Sequence, residues 1–309
     1  MAELRRDPLS GSWVLIAPER AARPGAAITP APAADSRAAC PFCPGHERET
    51  PPPVLVYGDW TLRVVPNKFP ALDADSSGGA AGVHEVVIET PEHAPPPELD
   101  PGTFERLLRA WRDRIRVHAS DPRLAAALPF KNHGPLAGAS LAHPHAQLVI
   151  LPLIPDALQR ELDTSARHYE QSGRCLYCEV LERELKGGRR IVAATDDVVT
   201  LCPFASRVPY EIHVLPRRHH SHLESLDDAI LAPLAEALHG ALAKLQRRFP
   251  GQPYNLVVHT GPLRRAPLPS FHLHLELLPK MSHQGGFEWG SGHQINSVAP
   301  EDAAALLRE

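Results

Sequence analysis

The chain has 309 residues, with 32 Lys and Arg against 36 Asp and Glu, and a formal charge of -4. That balance gives no electrostatic case for nucleic acid or an anionic membrane as a main partner. It contains no apolar run of about 18 residues and no charged-then-apolar signal at its start, so the expectation is a soluble, cytoplasmic protein of one large or two medium domains.

Five cysteines are few for a disulfide scaffold of this length, and four of them stand as two Cys-x-x-Cys pairs, Cys40/Cys43 and Cys175/Cys178. In a reducing compartment such pairs are more often metal ligands than disulfides. Cys202 is left over and reads as a small buried hydrophobe.

In chain order, the turn at Asp7-Pro8 and Ser10-Gly11 leads into a strand from Trp13 to Ala17. Arg20 and Arg23 follow on a Pro-bounded loop, where a guanidinium fork suits phosphate oxygens. Cys40-Pro41-Phe42-Cys43-Pro44-Gly45 is a tight knuckle that supplies half of a tetrahedral zinc site. Strands are predicted at 62–65 and 83–89, the first followed by the loop Pro66-Asn67-Lys68-Phe69-Pro70. Asp100 or Thr103 caps a helix with the apolar stripe Phe104, Leu107, Leu108, Trp111, Ile115. A strand from Ala125 to Asn132 then enters a small-residue loop, 132–140, whose backbone N–H groups suit phosphate.

The stretch Ala142-His143-Pro144-His145-Ala146-Gln147 and the run Leu148-Val149-Ile150-Leu151 read as one strand. Alternation places His143, His145 and Gln147 on one side of it. Pro144 removes a ladder donor, which suits a sheet edge.

The second half repeats this order. Cys175/Cys178 matches the first knuckle, and 198–202 matches 62–65. The strand 210–215 leads to His219 as 83–89 leads to His93. Asp227 caps a helix with the stripe Ile230, Leu231, Leu234, Leu238, Leu242, Leu245. The strand at 254–259 and the loop at 261–269 precede Phe271 to Leu278, which sets His272 on His143, His274 on His145 and Glu276 on Gln147. The fold class is therefore α+β, a duplication of two units, each an antiparallel sheet with a long helix. The halves are taken as 1–170 and 171–309.

The repeat supplies two complete ligand sets, Cys40, Cys43, His93, His143 and Cys175, Cys178, His219, His272. Four protein ligands close a zinc shell, so both metals are expected to be structural. His213, His220, His222 and His259 compete for the second set. The halves differ at the reactive position: a carboxylate at Glu276 repels phosphate, whereas the Gln147 amide donates to it without adding charge. The chemistry is thus placed in the first half. His145 is the nucleophile, with its tautomer set by a backbone carbonyl near His143, and Gln147 with the loop at Gly138 to Ser140 stabilises phosphoryl charge. His274 and Glu276 read as core or supporting residues.

These residues resemble the galactose-1-phosphate uridylyltransferase family, a branch of the histidine-triad superfamily. The resemblance runs over most of the chain, with Asp7 to Leu15 matching the family's Asp-Pro-Leu-x-Gly-x-Trp-Val-Leu pattern. It implies transfer of UMP from UDP-glucose to galactose 1-phosphate, by a ping-pong route through uridylyl-His145. It puts nucleotide contacts on Arg20, Arg23, Asn67 and Asn132, a phosphate loop on Gly138 and Ser140, and a sugar-contacting tail on Phe287-Glu288 with Gln294. It also implies a homodimer in which that tail reaches the partner's site, with nucleotide-sugar and sugar-phosphate substrates. Cys175 and Cys178 look like the two-zinc branch, which shares the Gly-Gly-Phe-Glu…Ile-Asn pattern at 285–296 and includes an adenylyl-transferring phosphorylase. The alternative expectation is therefore an ADP-glucose or dinucleoside-polyphosphate phosphorylase with an adenylyl-His145 intermediate.

Overall fold

Alternating strands that end in chemistry-bearing residues need a sheet with one face packed on helices and the other open to polar side chains. The computed structural model, which describes residues 2–22, 37–72, 81–94 and 99–309, has that form in its first half, while in its second half Leu158, Leu162 and Leu181 cover the other face at Val199, Leu201 and Leu215. The first half holds β1 (Glu3–Arg6), β2 (Trp13–Ile16), β3 (Leu55–Tyr57), β4 (Leu62–Pro66), β5 (Val83–Ile88), α1 (Pro101–His118), β6 (Ala126–His133) and β7 (His145–Leu151). Then come α2 (Asp156–Ser172), α3 (Leu176–Gly187), β8 (Ile191–Ala194), β9 (Val198–Leu201), β10 (Ile212–Pro216), α4 (Asp228–Arg248), β11 (Tyr254–His259) and β12 (His274–Pro279). The chain closes with α5 (Gly286–Ser291), β13 (Gln294–Asn296) and α6 (Pro300–Arg308).

Ten strands form one sheet in the order β3-β4-β5-β7-β6-β11-β12-β10-β9-β8, and β1-β2-β13 form a small second one. The order is a palindrome of the repeat: β3 to β7 on one side correspond to β8 to β12 on the other. The halves join where β6 pairs antiparallel with β11, Asn132 opposite Asn255. One continuous sheet therefore crosses both repeats, and residue 170 lies within α2.

The helix stripes arise as expected. Asp100 caps α1 by accepting from the Thr103 N–H, and Phe104, Leu107, Leu108, Trp111 and Ile115 are buried. Asp227 caps α4 the same way toward Ile230. Both helices pack on one face of the sheet, against Val64, Val87, Leu148, Ile150, Leu275 and Leu277 among others. Each such side chain contributes roughly 1.5–3 kcal/mol through burial. Because strand side chains alternate, the residues between these, including His145, Gln147, His274 and Glu276, lie on the opposite face.

Three expectations are corrected. The strand starts at His145 rather than Ala142, and His143 and Pro144 form the turn ahead of it. Strand β7 is interior, flanked by β5 and β6; Pro144 is tolerated because it precedes the ladder rather than because the strand is an edge. Cys175 and Cys178 do not copy the first knuckle's turn, since Cys175 is the N-cap of α3 and Cys178 lies within it. Helices α2 and α3 were not anticipated. The buried face of α2 comprises Leu158, Glu161, Leu162 and Ser165, and two polar members in four erase the apolar period.

On the helix side of β5, Glu85 is buried and takes a bidentate pair from Arg114 of α1, at 2.9 and 2.6 Å. Burial alone would raise this carboxyl, but hydrogen bonds from His118 and Arg114 outweigh it and hold Glu85 below its ordinary value. Arg114→Met strands that charge and is expected to cost about 3–5 kcal/mol at pH 7. Because the folded-state value is depressed, the stabilisation is present above the unfolded value, about 4.3, and lost as pH falls through the folded one. The deficit of the variant should therefore shrink in denaturation series taken below that pH, and a deficit independent of pH would contradict the assignment.

Candidate active site and metal centres

Two quartets of ligand atoms assemble. In each of Cys40, Cys43, His93, His143 and Cys175, Cys178, His219, His272, the Sγ and ring-nitrogen atoms all lie within 4.8 Å of one another. Cys43 Sγ is 3.3 Å from His93 Nδ1 and 3.5 Å from His143 Nδ1. Cys178 Sγ is 3.6 Å from His219 Nδ1 and 3.5 Å from His272 Nδ1. A tetrahedron with zinc bonds of about 2.0–2.3 Å has an edge near 3.6 Å, so these spacings fit a shared cation. The opposite ring nitrogens are committed: His143 Nε2–H donates to the Thr90 carbonyl at 2.9 Å, His272 Nε2–H to Pro216 and His219 Nε2–H to Leu268. That leaves each Nδ1 lone pair for the metal, as outer partners of ligating imidazoles do. Burial pushes the Cys40 thiol up to about 11, so a cation is what lets it ionise at neutral pH. Of the competing histidines, His213 and His259 enter a separate cluster, and His222 is taken by Ser221 and the Pro262 carbonyl.

The turn that ends the first quartet presents His145. Its Nδ1–H donates to the His143 carbonyl at 2.8 Å, the backbone acceptor anticipated near that residue. A carbonyl cannot donate, so the lone pair is on Nε2. Burial lowers the imidazole's pKa to about 4, with Lys131 and His143 adding to the shift and the bond to the His143 carbonyl opposing it. The ring is therefore neutral at pH 7. Lys131 Nζ donates to the His145 carbonyl at 3.1 Å and to Glu89 at 2.5 Å, tying β6 beneath His145.

His145 and Gln147 line a cavity of about 350 Å³ with Phe42, Asn67, Phe69 and Ser140. The Phe42 ring meets that of His145 edge-on at 5.3 Å. Gln147 Oε1 accepts from His84 Nε2–H at 2.8 Å. The loop after β6 is built around glycines: Gly138 has φ +90°, and at Gly134 (φ +81°) a Cβ would come within 2.9 Å of Pro253. Asn255 fastens the loop, donating to Asn132 Oδ1 and the Ala137 carbonyl. One expectation changes here. The Gly138 and Ala139 N–H groups donate within the loop, to Pro135 and Gly134, so they are not open to a phosphate, and Ser140 is the loop's contribution to the cavity.

The second half carries a charged counterpart. His274 Nδ1–H donates to the His272 carbonyl at 3.0 Å, as His145 does to His143, and the Tyr177 ring packs against it at 5.1 Å where Phe42 packs against His145. Around it Glu161, His259, His274 and Glu276 gather ligand atoms within 4.8 Å. His259 contacts both carboxylates, at 3.0 Å to Glu161 and 3.1 Å to Glu276. Burial alone would lower its pKa, but the two carboxylates outweigh it and hold it well above the ordinary value. Arg207 bridges Glu276 and Glu211 at 2.6 Å each. These groups give the acids partners from within the protein.

Elsewhere, Arg20 sits exposed in a 3-10 turn, Pro18–Ala22, and Arg23 lies outside the described residues. Glu288 caps α5 by accepting from the Gly285 N–H, and Gln294, at the start of β13 in the small sheet, accepts from Gln284; neither lines the His145 cavity. Sequence reading missed His84, Lys131, Glu89, Arg207 and Glu161.

A duplicated antiparallel sheet in which the His143 carbonyl sets the tautomer of a buried His145 at a cavity, with Gln147 beside it, fits a nucleotidyltransferase of the histidine-triad kind. The chain belongs to the galactose-1-phosphate uridylyltransferase family: the model of that transferase's N-terminal domain matches residues 1–155 and the model of its C-terminal domain residues 161–307. It is 34% identical to an ADP-glucose phosphorylase of Arabidopsis thaliana over 99% of this chain and 92% of that protein. It is 31% identical to a galactose-1-phosphate uridylyltransferase of Thermotoga maritima over 100% and 98%. The crystal structure of an Arabidopsis thaliana ADP-glucose phosphorylase with bound ADP-glucose superposes with a TM-score of 0.90 at 35% identity, covering 100% of this chain and 98% of that one. No helix among the described residues is long and apolar enough to cross a membrane.

Metal analysis of purified protein checks the quartets. Cys40→Ser and Cys175→Ser are each expected to lose one bound metal of two and to lower the melting temperature. Retention of both metals in either variant would refute that ligand set.

Proposed function

We propose that the protein transfers a nucleoside monophosphate from a nucleoside-diphosphate glucose through a covalent nucleotidyl-His145 intermediate. The observation that carries this is the bond from His145 Nδ1–H to the His143 carbonyl, which leaves Nε2 as a neutral nucleophile without a separate base. Nε2 attacks the α-phosphorus; the bond from that phosphorus to the bridging oxygen breaks, and glucose 1-phosphate leaves with the electron pair. The imidazole gains positive charge as the N–P bond forms, and the His143 carbonyl oxygen, accepting from Nδ1–H, stabilises that charge. The Gln147 amide and the Ser140 hydroxyl donate to the non-bridging oxygens, where negative charge grows. In the second half-reaction a phosphate oxygen of the acceptor displaces Nε2 and restores the free histidine.

Asn67 and Asn132, with Arg20 and Arg23, are assigned to the nucleotide, Gly138 to the left-handed turn that presents Ser140 to the phosphate, and Glu288 and Gln294 to the sugar, the last two across a homodimer. The two quartets would hold zinc as a structural metal, with all four ligands from the protein, and so would fix the turns ahead of β7 and β12. ADP-glucose with inorganic phosphate as acceptor is the first reading, supported by the full-length superposition on an ADP-glucose complex. UDP-glucose with galactose 1-phosphate is the second, supported by the family models and the Thermotoga maritima relative.

Intact mass after incubation with each donor decides between them. A gain of AMP is expected from ADP-glucose, and a gain of UMP alone selects the second reading. His145→Asn is expected to abolish both adducts and to lower turnover by at least about 10⁴-fold. An unchanged adduct in that variant would remove His145 from the reaction.

A further inference from the structure

His84 connects the loop after β4 to the side chain of Gln147. Its carbonyl accepts from the Asn67 N–H at 2.8 Å, its Nδ1 accepts from the Ala71 N–H at 3.0 Å, and its Nε2 lies 2.8 Å from Gln147 Oε1. The Ala71 contact decides the tautomer. A backbone N–H can only donate, so Nδ1 is the acceptor and the proton is on Nε2. The Gln147 group facing Nε2 must then be the amide oxygen. The Asn67 amide nitrogen, 3.0 Å from the same Nε2, can only be a neighbour of that N–H, and Asn67 Oδ1 is already taken by the Phe69 N–H. With its oxygen held by His84, Gln147 has its NH2 left for the cavity.

The duplicated half repeats this connection with opposite chemistry. By strand register, Val86 lies opposite Gln147 and His213 opposite Glu276, so position 84 corresponds to Glu211. Val65 lies opposite Val86 and Leu201 opposite His213, so Ala71 corresponds to Arg207. There too the backbone N–H of the loop residue, Arg207, donates to the side chain of the strand residue, Glu211. The link onward to Glu276 is made by the Arg207 guanidinium. The loop-to-strand hydrogen bond is thus common to both halves. A neutral imidazole and a neutral amide complete it in the half whose histidine, His145, lines the cavity with Gln147, and two carboxylates and an arginine complete it in the other half.

We propose that His84 is a positioning residue: it fixes the amide orientation of Gln147 to the 67–72 loop, so that loop placement and the donor to the phosphoryl group are set together. This rests on the nucleotidyl-His145 reading. The single-turnover rate of adduct formation should fall about tenfold or more in His84→Phe. In the His145→Ala background the same substitution should leave the dissociation constant of ADP-glucose or UDP-glucose within about threefold, because the loss falls on the step in which charge develops. Since His84 acts through Gln147, His84→Phe/Gln147→Ala should be no slower than Gln147→Ala alone. His84→Gln, which keeps an acceptor and a donor, should recover part of the rate and serves if the Phe variant does not fold.

A His84→Phe rate within about twofold of wild type, or effects that multiply in the double variant, would overturn the proposal. Histidine 15N spectra of the wild-type protein provide a second, independent test: the Nε2–H tautomer of His84 is expected, and the Nδ1–H tautomer rejects the assignment. If wild-type protein forms no adduct with either donor, the His145 reading falls while the tautomer still tests the role of His84.

Discussion

His143 is the point on which the rest of the site depends. Its Nδ1 faces the first cysteine pair, its Nε2–H is tied to the Thr90 carbonyl, and its own carbonyl accepts from His145. A single turn residue therefore joins a metal quartet to the protonation pattern of the proposed nucleophile two positions on. Proline at 144 stiffens the connection at the point where the ladder has not begun. The quartet draws Cys40 and Cys43 onto the same turn, and Phe42 between them packs on His145, so the knuckle also forms one wall of the cavity.

Duplication explains why the molecule holds two similar constellations and uses them differently. Both halves present an imidazole whose Nδ1–H is held by the preceding histidine's carbonyl, an aromatic ring over it, and a closed quartet behind it. In the first half the surrounding partners, His84 and Gln147, are uncharged and leave room for an anionic phosphoryl group. In the second, the carboxylates of Glu161, Glu211 and Glu276 are contacted by Arg207, His259 and His213. Buried carboxylates need such partners, and here they come from neighbouring strands and loops of the same chain. The electrostatic difference between the halves comes down to a few side chains on one sheet face.

The long helices were legible because each has a single apolar stripe of five or six large residues. The two quartets were legible because a repeated order of cysteine pair and two histidines is hard to produce by chance. His145 and Gln147 stood out for the same reason, against His274 and Glu276. What could not be read were contacts across strands: His84 meets Gln147 from a neighbouring strand far away in sequence, and Arg114 meets Glu85 from a helix. Helix α2 escaped because Glu161 and Ser165 sit on its buried face, where they break the pattern that marks a helix, and Glu184 does the same in α3.

By itself, then, the sequence determined the duplication, the alternation that puts apolar side chains under the helices, and the residue types capable of binding metal and attacking phosphorus. Those are properties of spacing along the chain and of side-chain chemistry. The tertiary structure alone decided which histidine nitrogen carries the proton, which backbone donors in the 134–140 loop are already used, and which way the Gln147 amide faces. Each of these depends on a hydrogen-bond partner brought close through space, and a hydrogen bond is set by distance and direction that linear order does not encode.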